Sequence, residues 1–143
     1  MSETKEYLNQ IRYINQDIGS LKEELKNMTA SFLGSQQLKP DKVQTSARES
    51  YDDGLVAYVD LKNNIDKKIA DLIQLNMKIG NEINQLNDHN QRYVLRERYI
   101  LNKSWKDISF SLNYTERHIH RIHGKALNSF TEKGFAKSLK IQS

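Results

Sequence analysis

Arg117 and Arg121 lie four residues apart in the stretch SWKDISFSLNYTERHIHRIHG, residues 104–124, with His120 between them. On a helix that spacing puts both guanidinium groups on one face. The planar fork of arginine matches guanine O6 and N7 with two hydrogen bonds. Glu116 beside them suits cytosine N4, and Thr115 suits a thymine methyl or a phosphate. Lys103, Ser104 and Lys106 stand at the start of a preceding helix, where free backbone N–H groups and lysine charge favour a phosphate. Lys125 offers a further phosphate contact. Such a set would recognise a duplex, with Thr115, Glu116, Arg117, His120 and Arg121 facing bases and the remaining groups facing the backbone.

The elements that must hold these groups are legible around them. Ser104 is placed to cap a short helix, and Asp107 three residues later makes a start of the capping-box kind. Ile108 and Leu112 share one face of that helix. Asn113-Tyr114 breaks the run, and Asn tolerates the left-handed backbone that a tight turn needs. Thr115 caps a second helix whose Ile119, Ile122 and Ala126 form an apolar stripe, opposite Glu116, Arg117, His120 and Arg121. Two short helices joined this way have the build of a helix-turn-helix that enters a major groove. Trp105 is expected in the core beside Ile108, and Tyr93 and Tyr99 in the core or at a joint.

Other chemistries find no support. The chain has no Cys nucleophile, no GxSxG elbow, no phosphate-cradling glycine loop and no HExxH pair. No enzymatic activity and no cofactor are expected. His118, His120 and His123 do not converge on one helical face, and no carboxylate cluster joins them, so no metal site is expected. His123 is assigned to the core edge and His120 to the outer face.

Charge separates along the chain. Residues 1–89 carry 11 Lys/Arg and 14 Asp/Glu, a balance of −3, and residues 90–143 carry 11 and 4, a balance of +7. A polyanion would be drawn to the second part. The absence of Cys fits a reducing compartment. No run of 18 apolar residues is present, and the opening MSETKEYLNQ has no apolar signal core. A cytoplasmic protein with no membrane partner is the expectation.

Upstream of the basic part, apolar residues follow helical spacing. Tyr7, Ile11, Ile14, Ile18, Leu21, Leu25, Met28 and Phe32 alternate in steps of four and three, a heptad seam with a plausible stop at Gly34. The polar stretch 34–50 holds the only Pro, Pro40, and reads as a loop that reverses the chain. A second helix is expected from about Tyr51 to Asn87, with Leu55, Tyr58, Lys62, Ile65, Ile69, Leu72, Asn76, Ile79, Ile83 and Leu86 on its seam. Asn76, polar where Leu is expected, either fixes register or points partly to solvent. A third helix is expected over about Gln91–Leu101, with Asn102 just past its end and the helix-turn-helix following to near Phe130. The expected architecture is all-α. Residues 1–88 form a long antiparallel helical hairpin of coiled-coil character, and residues 89–143 a small three-helix domain.

The segment LRERYILNKSWKDISFSLNYTERHIHRIHGKAL resembles region 4 of sigma-70-type factors, and most of all phage late transcriptional regulators of the ArpU/RinA type. The resemblance rests on Arg98-Tyr99-Ile100, Trp105 with Ile108, Leu112-Asn113-Tyr114, and Arg117, Arg121, His123 and Ala126-Leu127. The opening YLNQIRYINQDI and the later long helix are similar to a related group of small phage proteins of Gram-positive hosts. The resemblance implies a phage- or prophage-encoded, sequence-specific regulator of late genes in the bacterial host, binding double-stranded DNA; the long helices point to a homodimer, and host RNA polymerase is a further candidate partner. Nothing resembles the portion of a sigma factor that binds the −10 element, so a complete sigma activity is not expected. Two alternatives stand beside this: a DNA-packaging subunit like a small terminase, and a non-catalytic adaptor that binds RNA polymerase or another protein.

Overall fold

The computed structural model describes residues 2–36 and 44–137. All regular structure among them is helical, as expected. Helix α1 spans Ser2–Gln36 and α2 spans Gln44–Asn84. Helix α3, His89–Leu95, runs on into a π-helical turn over Arg96–Ile100. Helices α4, Trp105–Leu112, and α5, Glu116–Lys133, follow, and a short 3₁₀ turn spans Phe135–Lys137. No helix among the described residues is long and apolar enough to cross a membrane.

The long helices depart from the bounds expected from apolar spacing, and α2 ends at Asn84, three residues short of Asn87. Gly34 does not stop α1, which continues to Gln36. Helix α2 begins at Gln44, so residues 44–50 are helical and not loop. That stretch, QTSARES, has no apolar stripe to announce a helix, yet its Ala, Arg and Glu are good helix formers. Pro40, the side chain of Phe32 and the tail beyond Lys137 lie outside the described residues.

The chain divides into two compact units. One joins Met1–Tyr13 to Leu72–Ser143, and the other is Ile14–Asp71. The expected division at residue 88 differs from this one, and the core of the first unit gives the reason. Tyr7, Leu8 and Ile11 of α1, Ile79 and Ile83 of α2, and Leu86 bury together with Leu95, Tyr99, Ala126, Leu127 and Phe130. The short helices are too few to cover one face of α5 alone, so the first turns of α1 and the last turns of α2 complete it. Polar ties join the same pieces. The Tyr7 hydroxyl donates to Glu82 Oε1, and the hydroxyls of Thr4 and Thr131 meet at 2.5 Å. A second cluster of Val94, Ile108, Ile119 and Ile122, flanked by Trp105 and Leu112, fixes α4 and α5 to α3.

In the unit Ile14–Asp71, Ile18 and Ile65 are buried, and the other seam positions of the two helices are half-buried or exposed. Leu55 and Lys62, both expected on the α2 seam, are exposed. Asn76, in the first unit, is half-buried, and its Oδ1 is shielded from solvent without a hydrogen-bond partner.

Candidate nucleic-acid interface

The turn between α4 and α5 is set by local chemistry. Ser104 adopts extended backbone, and its Oγ accepts from the Asp107 N–H at 3.1 Å. Asn113 closes α4 with φ 58° and ψ 40°, the left-handed conformation that Asn adopts at lower cost than most side chains. The Tyr114 N–H returns to Ser109 O at 3.1 Å, and the Ser109 hydroxyl donates to Tyr114 O. Thr115 then caps α5, with Oγ1 accepting from the His118 N–H at 3.1 Å. At the far end Gly134, at φ 82°, ends α5 three residues beyond Phe130.

On α5 the two faces separate as expected. Ile119, Ile122, Ala126, Leu127 and Phe130 are buried. Glu116, Arg117, His120, Arg121 and Lys125 are exposed. No ion pair engages Arg117 or Arg121 among the described residues. The two guanidinium groups therefore stand at the solvent-facing start of a capped helix. Thr115 is exposed, but its oxygen is already used in the cap.

The proposed phosphate contacts divide. Ser104 and Lys106 are exposed at the start of α4, where the first-turn N–H groups lack helical acceptors. Lys103 is committed elsewhere: its Nζ meets Glu97 Oε2 at 2.6 Å, and its N–H donates to Glu97 O at 3.0 Å. The hydrogen bond to Glu97 pushes the Lys103 ammonium above its ordinary range. Its role is then to pin the π-helical turn to the start of α4. The expected third helix over Gln91–Leu101 is accordingly α3 plus this turn. It begins two residues earlier, at His89, where the Asp88 carboxylate accepts from the Gln91 N–H at 3.0 Å. The turn closes with Leu101 N–H on Arg96 O, and Asn102 leaves it at φ 55°.

Beneath the basic face lies a group of rings. Trp105 packs against His120 and His123, each at 4.6 Å between centroids, and the Arg98 guanidinium lies over the same indole at 4.5 Å. Arg98 Nη1 also donates to Lys103 O at 3.0 Å. Trp105, expected in the core, is half-buried against its edge, and His120, expected on the outer face, is exposed on one side while resting on Trp105 on the other. His123 is buried, and its Nε2 meets the Tyr99 hydroxyl at 2.7 Å. Burial, helped by the charges of Lys5, His120 and Arg98, lowers the His123 pKa to about 4. Burial raises Tyr99 to about 12, with Arg98 and Arg12 opposing the shift. A neutral His123 between Trp105 and Tyr99 couples α5 to α4 and to the π-helical turn. Arg98, one of the residues that carry the resemblance but given no site role there, thus holds Trp105 and the start of α4 in place. Phe110 was also missed. It is 90% exposed on α4, and its place two residues from both Ile108 and Leu112 already puts it off the apolar stripe.

No curated protein and no solved structure matches the chain significantly. Residues 32–131 match the family described as "Protein of unknown function (DUF1492)". The matched span takes in α2, the helix-turn-helix and most of α5, more than half of the chain. The capped helix pair and its exposed arginines therefore lie inside the matched region, and the chain belongs to the DUF1492 family.

Proposed function

We propose that this protein is a sequence-specific double-stranded-DNA-binding regulator of transcription. One observation carries the reading: Arg117 and Arg121 are exposed, and without ion pairs among the described residues, on the face of α5 opposite its buried stripe, at the end that a tight capped turn presents. Glu116, His120 and Thr115 flank them as candidate base contacts, and Lys106, Ser104 and Lys125 as candidate phosphate contacts. The balance of +7 over residues 90–143 supplies long-range attraction to the duplex. The likeness of residues 98–127 to region 4 and to ArpU/RinA-type regulators supports a phage or prophage setting, late genes as targets, and a cytoplasmic protein working beside host RNA polymerase. No catalytic or cofactor role is proposed.

Selection of bound duplexes from a random pool tests the reading. Enrichment of a short motif is expected, and that motif should be lost from the pool selected by Arg121→Ala. Recovery of no motif at low salt would remove DNA recognition. A second reading, a protein adaptor, draws on Phe110, whose ring is almost wholly exposed on α4. Capture of RNA polymerase that fails with Phe110→Ser, with no enriched DNA, would favour it.

A further inference from the structure

Gly124 lies near the middle of α5, an 18-residue helix. Glycine in a helix interior lowers stability relative to alanine. Among the described residues nothing in the fold asks for it. Gly134 is the only described glycine with positive φ, so Gly124 serves no left-handed turn. No neighbour presses on it: a Cβ placed there would meet nothing within 4 Å, its own helix backbone and chain neighbours aside. At Gly80 of α2 the same carbon would touch Ile100 Cδ1 at 3.6 Å.

Its place around the helix is informative. At about 100° per residue, Gly124 falls about 20° from Arg117 and about 60° from Arg121, while Ile119, Ile122 and Ala126 lie about 140–160° away. The missing side chain is therefore a notch in the arginine face. His120 and Arg121 stand one turn before it, Asn128 one turn after it and Lys125 beside it, and all four are exposed. Gly19 of α1 has equally open surroundings, but Asn15 and Gln16 precede it where His120 and Arg121 precede Gly124. Long side chains such as arginine can swing aside when a helix docks, whereas a Cβ cannot. A notch between such side chains lets another body come up to the helix backbone, and glycine is the residue that permits this.

We infer that Gly124 is the point of closest approach between the α5 backbone and double-stranded DNA, and so a specificity-determining position. Its missing side chain sets how deep α5 seats, and with that depth whether Arg117 and Arg121 reach base edges. The inference rests on α5 as the reading helix and adds how that helix docks.

Gly124→Ala tests it, because it keeps every charge and its two effects have opposite sign. In the free chain the thermal midpoint should rise by roughly 2–4 °C, since alanine is the better helix former. Affinity for a labelled duplex enriched by the parent chain, read by fluorescence anisotropy, should fall roughly tenfold or more as the arginine contacts loosen. Gly124→Leu should bind more weakly still while helical circular dichroism is kept. Arg121→Ala is measured beside them. If Arg121→Ala loses affinity and Gly124→Ala does not, the reading helix stands and this inference falls alone. If neither loses affinity, or the parent enriches no duplex, both fall. A lowered midpoint for Gly124→Ala would mean that the chain itself packs on this position, and would overturn the inference as well.

Discussion

Residues 104–134 and residues 51–71 are both helical, yet they are held in different ways. In the first stretch each bend has its own chemical cause: Ser104 and Thr115 as caps, Asn113 and Gly134 in left-handed backbone, and buried Ile108, Ile119 and Phe130 drawing on partners far away in sequence. In the second, one helix runs without a break, Ile65 is its only buried apolar side chain, and Leu55, Val56 and Val59 face solvent. A surface built of caps and long-range packing holds side chains in one place, as a reader of bases requires. A uniform helix face repeats itself and suits pairing with another helix. Position is specified where local rules change from residue to residue, and association where they repeat.

The contrast can be broken most severely in the core. Phe130→Ala should cost about 3–5 kcal/mol of stability, since it removes a fully buried ring shared by α5, Tyr7 and Phe135. Val56→Ala in the other stretch should change stability by about 0.5 kcal/mol or less. Urea unfolding midpoints read both, and similar losses would erase the distinction. At the turn, Asn113→Ala should cost about 1–2 kcal/mol, because alanine gains nothing in left-handed backbone, whereas Asn113→Gly should be close to neutral. Thr115→Ala should cost about 1 kcal/mol by leaving the His118 N–H without its acceptor. Thermal unfolding followed by circular dichroism resolves these differences.

A further effect is confined to acid. Folded His123 takes up a proton only near pH 4, against an ordinary value of 6.5. Between those values the unfolded chain binds more protons than the folded one, so stability rises with pH. This contribution is complete above about pH 6.5 and is lost as pH falls toward 4. His123→Gln should flatten the slope over that window alone. An unchanged slope would show that His123 is not held neutral between Tyr99 and Trp105.

What the sequence made legible follows the same division. The cap residues, the turn and the buried stripe of α5 depend on neighbours a few positions away, and Ser104, Asn113, Thr115 and Ile119 stand where local chemistry puts them. Contacts across the chain left no such trace. Thr4 on Thr131, Tyr7 on Glu82 and Tyr99 on His123 arise only once helices meet. The commitment of Lys103 to Glu97 was hidden for the same reason: it depends on the π-helical turn, which no spacing rule announces. The start of α2 at Gln44 was obscured because QTSARES has no apolar stripe, and periodicity found the helix beyond it while placing exposed Leu55 and Lys62 on its seam. Exposure of Arg117 and Arg121 was readable because their positions oppose Ile119 and Ile122 on one short helix.

The most direct measurement is a salt series of binding to the selected duplex and to a scrambled duplex, with the parent chain and with Arg121→Ala. For the parent, the logarithm of affinity should fall linearly with the logarithm of salt, and the selected duplex should be preferred throughout. Arg121→Ala should keep the salt dependence of backbone contacts while losing about 1–3 kcal/mol, roughly 5- to 150-fold, on the selected duplex only. Equal affinity of parent and variant for the selected site, or no binding of either at low salt, would contradict the assignment of α5 as a base-reading helix.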